Sequence, residues 1–105
     1  MIRVVVTGIG VVSCLGNNQE EVYQSLLNTK SGISLCEEYK EHNLKSHIHG
    51  KPNIKREDHI GRKISRFMGD GSSYNYIAMQ EAIKDSGLEE KDVSNFTTGI
   101  VMGSG

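Results

Sequence analysis

Two short β-branched runs, one near each end, constrain this 105-residue chain more than any other feature. Arg3-Val4-Val5-Val6-Thr7 runs into Gly8-Ile9-Gly10-Val11-Val12-Ser13, and Gly99-Ile100-Val101-Met102 runs into Gly103-Ser104-Gly105. Val and Ile fit a pleated surface, and apolar runs without polar alternation suit strands covered on both faces, as in a parallel sheet. The glycines that follow suit tight turns where a ligand or a second backbone comes close. Two strands cannot form a parallel sheet alone, because each needs covered faces and paired edges. The expectation is an α/β chain forming the front part of a larger layered protein.

Between the runs the pattern alternates helix and loop. Residues 2–7 are the first expected strand, broken by Gly8, Gly10 and Gly16. Asn18 reads as a helix N-cap with Glu21 three residues on, a capping-box spacing. Val22, Leu26 and Leu27 give that helix one apolar side, and Lys30-Ser31-Gly32 suits its end, a cation followed by a glycine. Residues 33–58, with the single proline at position 52, read as a surface excursion with a short extended piece near 46–50. From Asp58 the spacing of Ile60, Ile64 and Phe67 is helical, and Gly69 and Gly71 interrupt it. A second helix runs through Tyr76, Ile77, Met79, Ala82 and Ile83 to Gly87, with Leu88 packing back on it. Residues 89–98 are a polar link, and 99–102 are the last strand.

Charge and cysteine content narrow the function classes. A net charge of −1, with 36% hydrophobic and 24% charged residues, fits a soluble globular chain and not a nucleic-acid binder. No stretch approaches the roughly 20 apolar residues that cross a membrane. Val11-Val12-Ser13-Cys14 resembles a lipoprotein cleavage box, but Thr7, Gly8 and Gly10 interrupt the apolar region before it. Without an export signal, Cys14 and Cys36 read as reduced cytosolic thiols.

Four motifs have both a chemical and a structural reading. Gly8-x-Gly10 after a strand suggests a dinucleotide-binding turn, with Ser13 in place of the third glycine. The next helix starts too late to lend its N-terminus to a pyrophosphate, and the other reading is tight backbone packing. His42, His47, His49, His59 and Cys36 match no zinc-ligand spacing and read as solvated loop residues, so no metal is expected. Cys14 has no base beside it and Cys36 has Glu37 and Glu38, so neither reads as a nucleophile. Arg62, Lys63 and Arg66 lie within one helical turn and suit an acidic partner, against the alternative of a solvated helix face.

Taken together, several segments resemble the β-ketoacyl-acyl carrier protein synthases. They are Val5-Val6-Thr7-Gly8-Ile9-Gly10-Val11-Val12-Ser13 with Gly16-Asn17, Ser31-Gly32-Ile33, and Gly61-Arg62-Lys63-Ile64-Ser65-Arg66-Phe67-Met68. Tyr74, Met79, Ala82-Ile83, Asp85-Ser86-Gly87-Leu88 and Gly103-Ser104-Gly105 continue the likeness, and the Arg-Phe-Met segment is most similar to the type I branch. The resemblance implies an N-terminal portion of the thiolase-like layered α-β-α-β-α fold, with residues 1–105 as part of the synthase N-terminal domain. It implies a cytoplasmic homodimer that elongates fatty acyl chains by decarboxylative Claisen condensation with malonyl-acyl carrier protein. The acyl carrier protein is then the partner and its phosphopantetheine arm carries the substrate, with no bound cofactor, nucleic acid or membrane. Catalysis in the family uses a cysteine nucleophile and two histidines, none of which maps to this chain. Arg62, Lys63 and Arg66 match positions that meet the carrier protein, and Gly103, Ser104 and Gly105 match a turn beside the acyl pocket. The other readings are a carrier-docking module without catalysis and a dinucleotide-binding half-domain.

Overall fold

The computed structural model describes residues 1–104. The chain divides into two compact units, residues 11–55 and residues 1–10 joined with those from 56 onward.

In the unit of residues 11–55, helix α1 spans Gln19–Leu27. Its N-cap is Asn18, whose Oδ1 accepts from the Glu21 N–H at 2.9 Å. Glu21 reaches back one residue further than an ordinary capping box, accepting from the Asn17 N–H at 2.7 Å. The helix stops earlier than Lys30-Ser31-Gly32 suggests. Thr29 takes the left-handed conformation at φ 51°. Its N–H reaches the Leu26 carbonyl at 3.2 Å, and the Lys30 N–H reaches the Ser25 carbonyl at 2.8 Å. That is the paired bonding of a Schellman cap, with Thr where glycine is usual. Gly32 has another role: a Cβ there would strike the main chain of Cys14. The expected apolar side of α1 is only partly covered, with Val22 half-buried. Leu26 and Leu27 are exposed, and the helix instead buries Ser25, whose hydroxyl donates to the Leu15 carbonyl at 2.6 Å.

The excursion is more ordered than its sequence implies. Strand β1, Ser34–Leu35, pairs antiparallel with β2, Ile48–His49, in the register Ser34 with His49 and Leu35 with Ile48. Helix α2, Glu37–Glu41, lies between them and ends with Asn43 left-handed at φ 55°. The Asn43 N–H bonds the Lys40 carbonyl and the Leu44 N–H bonds the Tyr39 carbonyl, a second Schellman cap. The Tyr39 and His49 rings meet edge to face at 5.8 Å.

In the other unit, a 3₁₀ turn at Arg56–Asp58 leads to α3, Arg62–Ser65, then α4, Asp70–Ser86, and α5, Glu90–Val93. Gly69 is the N-cap of α4, so the break falls there, while Gly71 sits inside the first turn. Gly87 ends α4 at φ 71°, as expected of a glycine past a helix. Leu88 stays exposed and does not fold back into cover. The polar link holds α5, whose start is braced by the Glu89 N–H donating to Asp92 Oδ2 at 3.1 Å. Among the described residues the buried hydrophobic side chains of this unit are Ile60 and Ile77, and Ser65 and Ser73 are buried as well.

The two expected strands are absent. Residues 2–7 and 99–102 form no ladder, and among the described residues the sole sheet is the β1–β2 pair. A strand needs a neighbour about 4.8 Å away to receive its N–H and C=O groups. Val4 is 91% exposed and Val101 99% exposed, so no such neighbour lies alongside them. Among the described residues, no helix is long and apolar enough to cross a membrane.

Candidate functional site

The basic cluster is built from a short, weakly self-supporting turn. The 3₁₀ turn closes with the His59 and Ile60 N–H groups on the Arg56 carbonyl, which turns Ile60 inward to 3% exposure. Gly61 then caps α3 without a side-chain bond. The single turn buries Ser65 and leaves Arg62, Lys63 and Arg66 exposed. Arg62 and Arg66 are stacked one turn apart, with the Arg66 N–H 3.4 Å from the Arg62 carbonyl. The Arg66 guanidinium lies 4.8 Å from the centre of the Phe67 ring, a cation–π distance. Phe67 itself is 79% exposed.

The sequence-based helix through Ile60, Ile64 and Phe67 therefore does not bury one continuous face. Ile60 is internal, while Ile64 and Phe67 share the surface with the three cations. Among the described residues, no carboxylate forms an ion pair with Arg62, Lys63 or Arg66. Three exposed positive charges without bound counter-charge lie here among two exposed apolar side chains, a combination whose chemistry suits an anionic and partly apolar partner. This surface holds no nucleophile or base.

A second feature lies along α4. Met68, Ser72, Asn75, Tyr76 and Met79 face Ile100, Met102, Gly103 and Ser104 across a groove of about 460 Å³. Gly103 and Ser104, singled out from the sequence, thus line an open, mainly apolar groove, while Gly105 lies outside the described residues. Sequence reasoning did not find the rest of its lining. The signal was available in the spacing of Ser72, Asn75, Tyr76 and Met79, which places them on one helical face.

The Gly8-x-Gly10 turn has a structural purpose. A Cβ on Gly8 would strike the Ala82 carbonyl, and one on Gly10 would strike the Ala78 carbonyl. The Ile9 N–H between them donates to Asp85 Oδ2 at 3.0 Å. The two glycines let the chain lie directly on the small residues of α4, the packing reading of the motif. Cys14 and Cys36 are free thiols, both half-buried. Cys14 Sγ is 3.0 Å from where a Cβ on Gly50 would stand. Of the loop histidines, His42, His47 and His59 are exposed and His49 packs on Tyr39. Among the described residues, no group of three or more His, Cys, Asp or Glu side chains is arranged to hold a metal ion.

The profile of the β-ketoacyl synthase N-terminal domain matches residues 1–105. The chain belongs to the β-ketoacyl synthase family. It is 50% identical over 105 residues to 3-oxoacyl-(acyl-carrier-protein) synthase 1 of Haemophilus influenzae, covering all of this chain. It is 46% identical over 108 residues to the enzyme of the same name from Buchnera aphidicola of Baizongia pistaciae, and 42% over 106 residues to that of Escherichia coli, covering 99% and 100% of this chain. The likeness is therefore to the synthase 1 branch. The chain spans about a quarter of the length of these curated relatives, 26% in each case. In this β-ketoacyl synthase segment, the basic cluster and the apolar groove fall in the same compact unit.

Proposed function

We propose that this chain is the N-terminal quarter of a β-ketoacyl-acyl carrier protein synthase that elongates fatty acyl chains. The reading rests above all on its 50% identity to a synthase 1 along its entire length. The reaction joins an acyl group, held as a thioester on a cysteine, to malonyl-acyl carrier protein with loss of carbon dioxide. The cysteine, the two histidines that support decarboxylation and the oxyanion hole lie outside residues 1–105. The chain by itself carries out no condensation. No cofactor is bound, and the phosphopantetheine arm of the carrier protein delivers the acyl and malonyl groups.

Two roles fall to residues in this segment. Arg62, Lys63 and Arg66 meet the acidic surface of the acyl carrier protein, which the exposed and unpaired state of the three cations supports. Gly103, Ser104 and Gly105 stand beside the acyl pocket, which is supported by the mainly apolar groove that Gly103 and Ser104 line. In the whole protein, a cytoplasmic homodimer, residues 2–7 and 99–102 become strands of the layered α-β-α-β-α fold. Their apolar, uncovered state supports that placement.

The decisive experiment exchanges this segment for the matching quarter of the Haemophilus influenzae synthase 1. The expected outcome is a soluble chimera that releases carbon dioxide from malonyl-acyl carrier protein and forms the 3-oxoacyl product. A folded chimera with no condensation overturns the proposal.

A further inference from the structure

Arg56 joins two places that lie far apart along the chain. Its carbonyl accepts from the His59 N–H at 3.0 Å and the Ile60 N–H at 2.8 Å, closing the 3₁₀ turn. Its guanidinium crosses twelve residues, and Nη1 donates to the Met68 carbonyl at 2.7 Å. The same Nη1 is 3.8 Å from Asp70 Oδ1, and Nε is 3.5 Å from Glu57 Oε1. One side chain, 33% exposed, thus closes a loop whose ends are the turn at Glu57 and the start of α4.

Arg62, Lys63 and Arg66 all project from that loop. Within it, Ile60 and Ser65 are the buried residues and α3 is a single helical turn. An isolated turn of that length does not hold its own shape, because the first turn fixes many dihedrals for few hydrogen bonds. Gly61 adds backbone freedom at its start, and Gly69 adds more just past its end. The bond to Met68 is charge-assisted and partly shielded from water, which makes it among the firmest ties in the segment. The charge of Arg56, meanwhile, lies between two carboxylates and adds little to the field of the basic cluster.

We infer that Arg56 is a positioning residue for the docking surface: it holds the Arg62–Arg66 turn in the shape that an acidic carrier protein meets, without touching that protein. The inference rests on the docking role proposed above for the three cations. It assigns to Arg56 a function distinct from theirs, that of reducing the ordering cost of binding.

The test titrates purified acyl carrier protein into the protein and its variants, with amide hydrogen exchange followed at residues 62–66. Arg56→Met is expected to bind about tenfold more weakly, through the extra side-chain ordering that binding must then supply. Its exchange at residues 62–66 is expected to quicken. Arg56→Lys, which still donates to the Met68 carbonyl, keeps most of both. The double variant Glu57→Gln with Asp70→Asn leaves the Met68 bond, so exchange at residues 62–66 stays as in the parent, while the loss of two negative charges strengthens binding to an acidic partner. Unchanged exchange at residues 62–66 in Arg56→Met, or in the milder Arg56→Gln where Arg56→Met does not fold, overturns the inference. Reversal of both Arg62 and Arg66 to Glu is the separate control. If that reversal leaves binding intact, the docking role itself falls, whatever Arg56 does.

Discussion

At the scale of single residues, the two Schellman caps of residues 11–55 differ in one informative way. Asn43 occupies the left-handed position after α2, and Thr29 occupies the same position after α1. Asn tolerates positive φ through local hydrogen bonding, whereas a β-branched side chain is crowded there. The expected result of Thr29→Gly is therefore stabilisation by about 1 kcal/mol, since glycine removes the crowding at the cost of some unfolded-state entropy. Urea titration followed by helical circular dichroism measures it. A lower midpoint for Thr29→Gly would mean that the Thr side chain has a compensating contact. The same residue explains why Gly32 misleads as a helix end. Glycine is used there because Cys14 lies against it.

At the scale of elements, α4 organises its unit. Its 17 residues carry Ala78, Ala82 and Ser86 four apart, and the segment through Gly8 and Gly10 lies on that row. Small residues on both sides let the backbones approach, and the Asp85 carboxylate accepts from the Ile9 N–H. Asp85→Ala is expected to cost about 1 kcal/mol or less, the ordinary net contribution of one hydrogen bond that water can replace. Faster hydrogen exchange at the Ile9 amide should accompany it. Asp85→Asn keeps an acceptor oxygen and is expected to retain most of the stability. Equal exchange at Ile9 in the parent and in Asp85→Ala would show that the packing of Gly8 and Gly10 is sufficient alone.

At the scale of the whole molecule, the proposed docking turns on charge that the chain leaves unpaired. The net charge is only −1, so overall attraction does not bring an acidic carrier protein to this chain. Local fields decide, and those decay within about 8 Å at physiological salt. Association with acyl carrier protein should therefore weaken steeply as salt rises. Reversal of Arg62 and Arg66 to Glu should lower affinity at least tenfold at low salt, with a smaller difference at high salt. Isothermal titration across a salt series checks both. The exposed runs at residues 2–7 and 99–102 belong to the same scale, because a strand is completed only by a neighbouring strand and none among the described residues pairs with them.

The sequence by itself determined whatever depends on neighbours within a turn or two. Asn18 and Glu21 marked the start of α1, and Gly87 marked the end of α4. Gly8 and Gly10 marked where backbones come close, whereas Gly103, expected at a similarly tight turn, faces open space, and the residue pattern identified the family. In residues 33–58 the extended piece expected near 46–50 was legible and is β2, whereas β1 and α2 were not, because α2 is held by a cap on Asn43 and β1 is two residues long, which gives no periodicity to read. The tie from Arg56 to Met68 and the groove along α4 were also hidden, since each joins residues many positions apart. Only the tertiary structure decided those. It decided too that Val4 and Val101 remain uncovered, because a strand is completed by hydrogen bonds to a neighbour and no local run of residues can supply one.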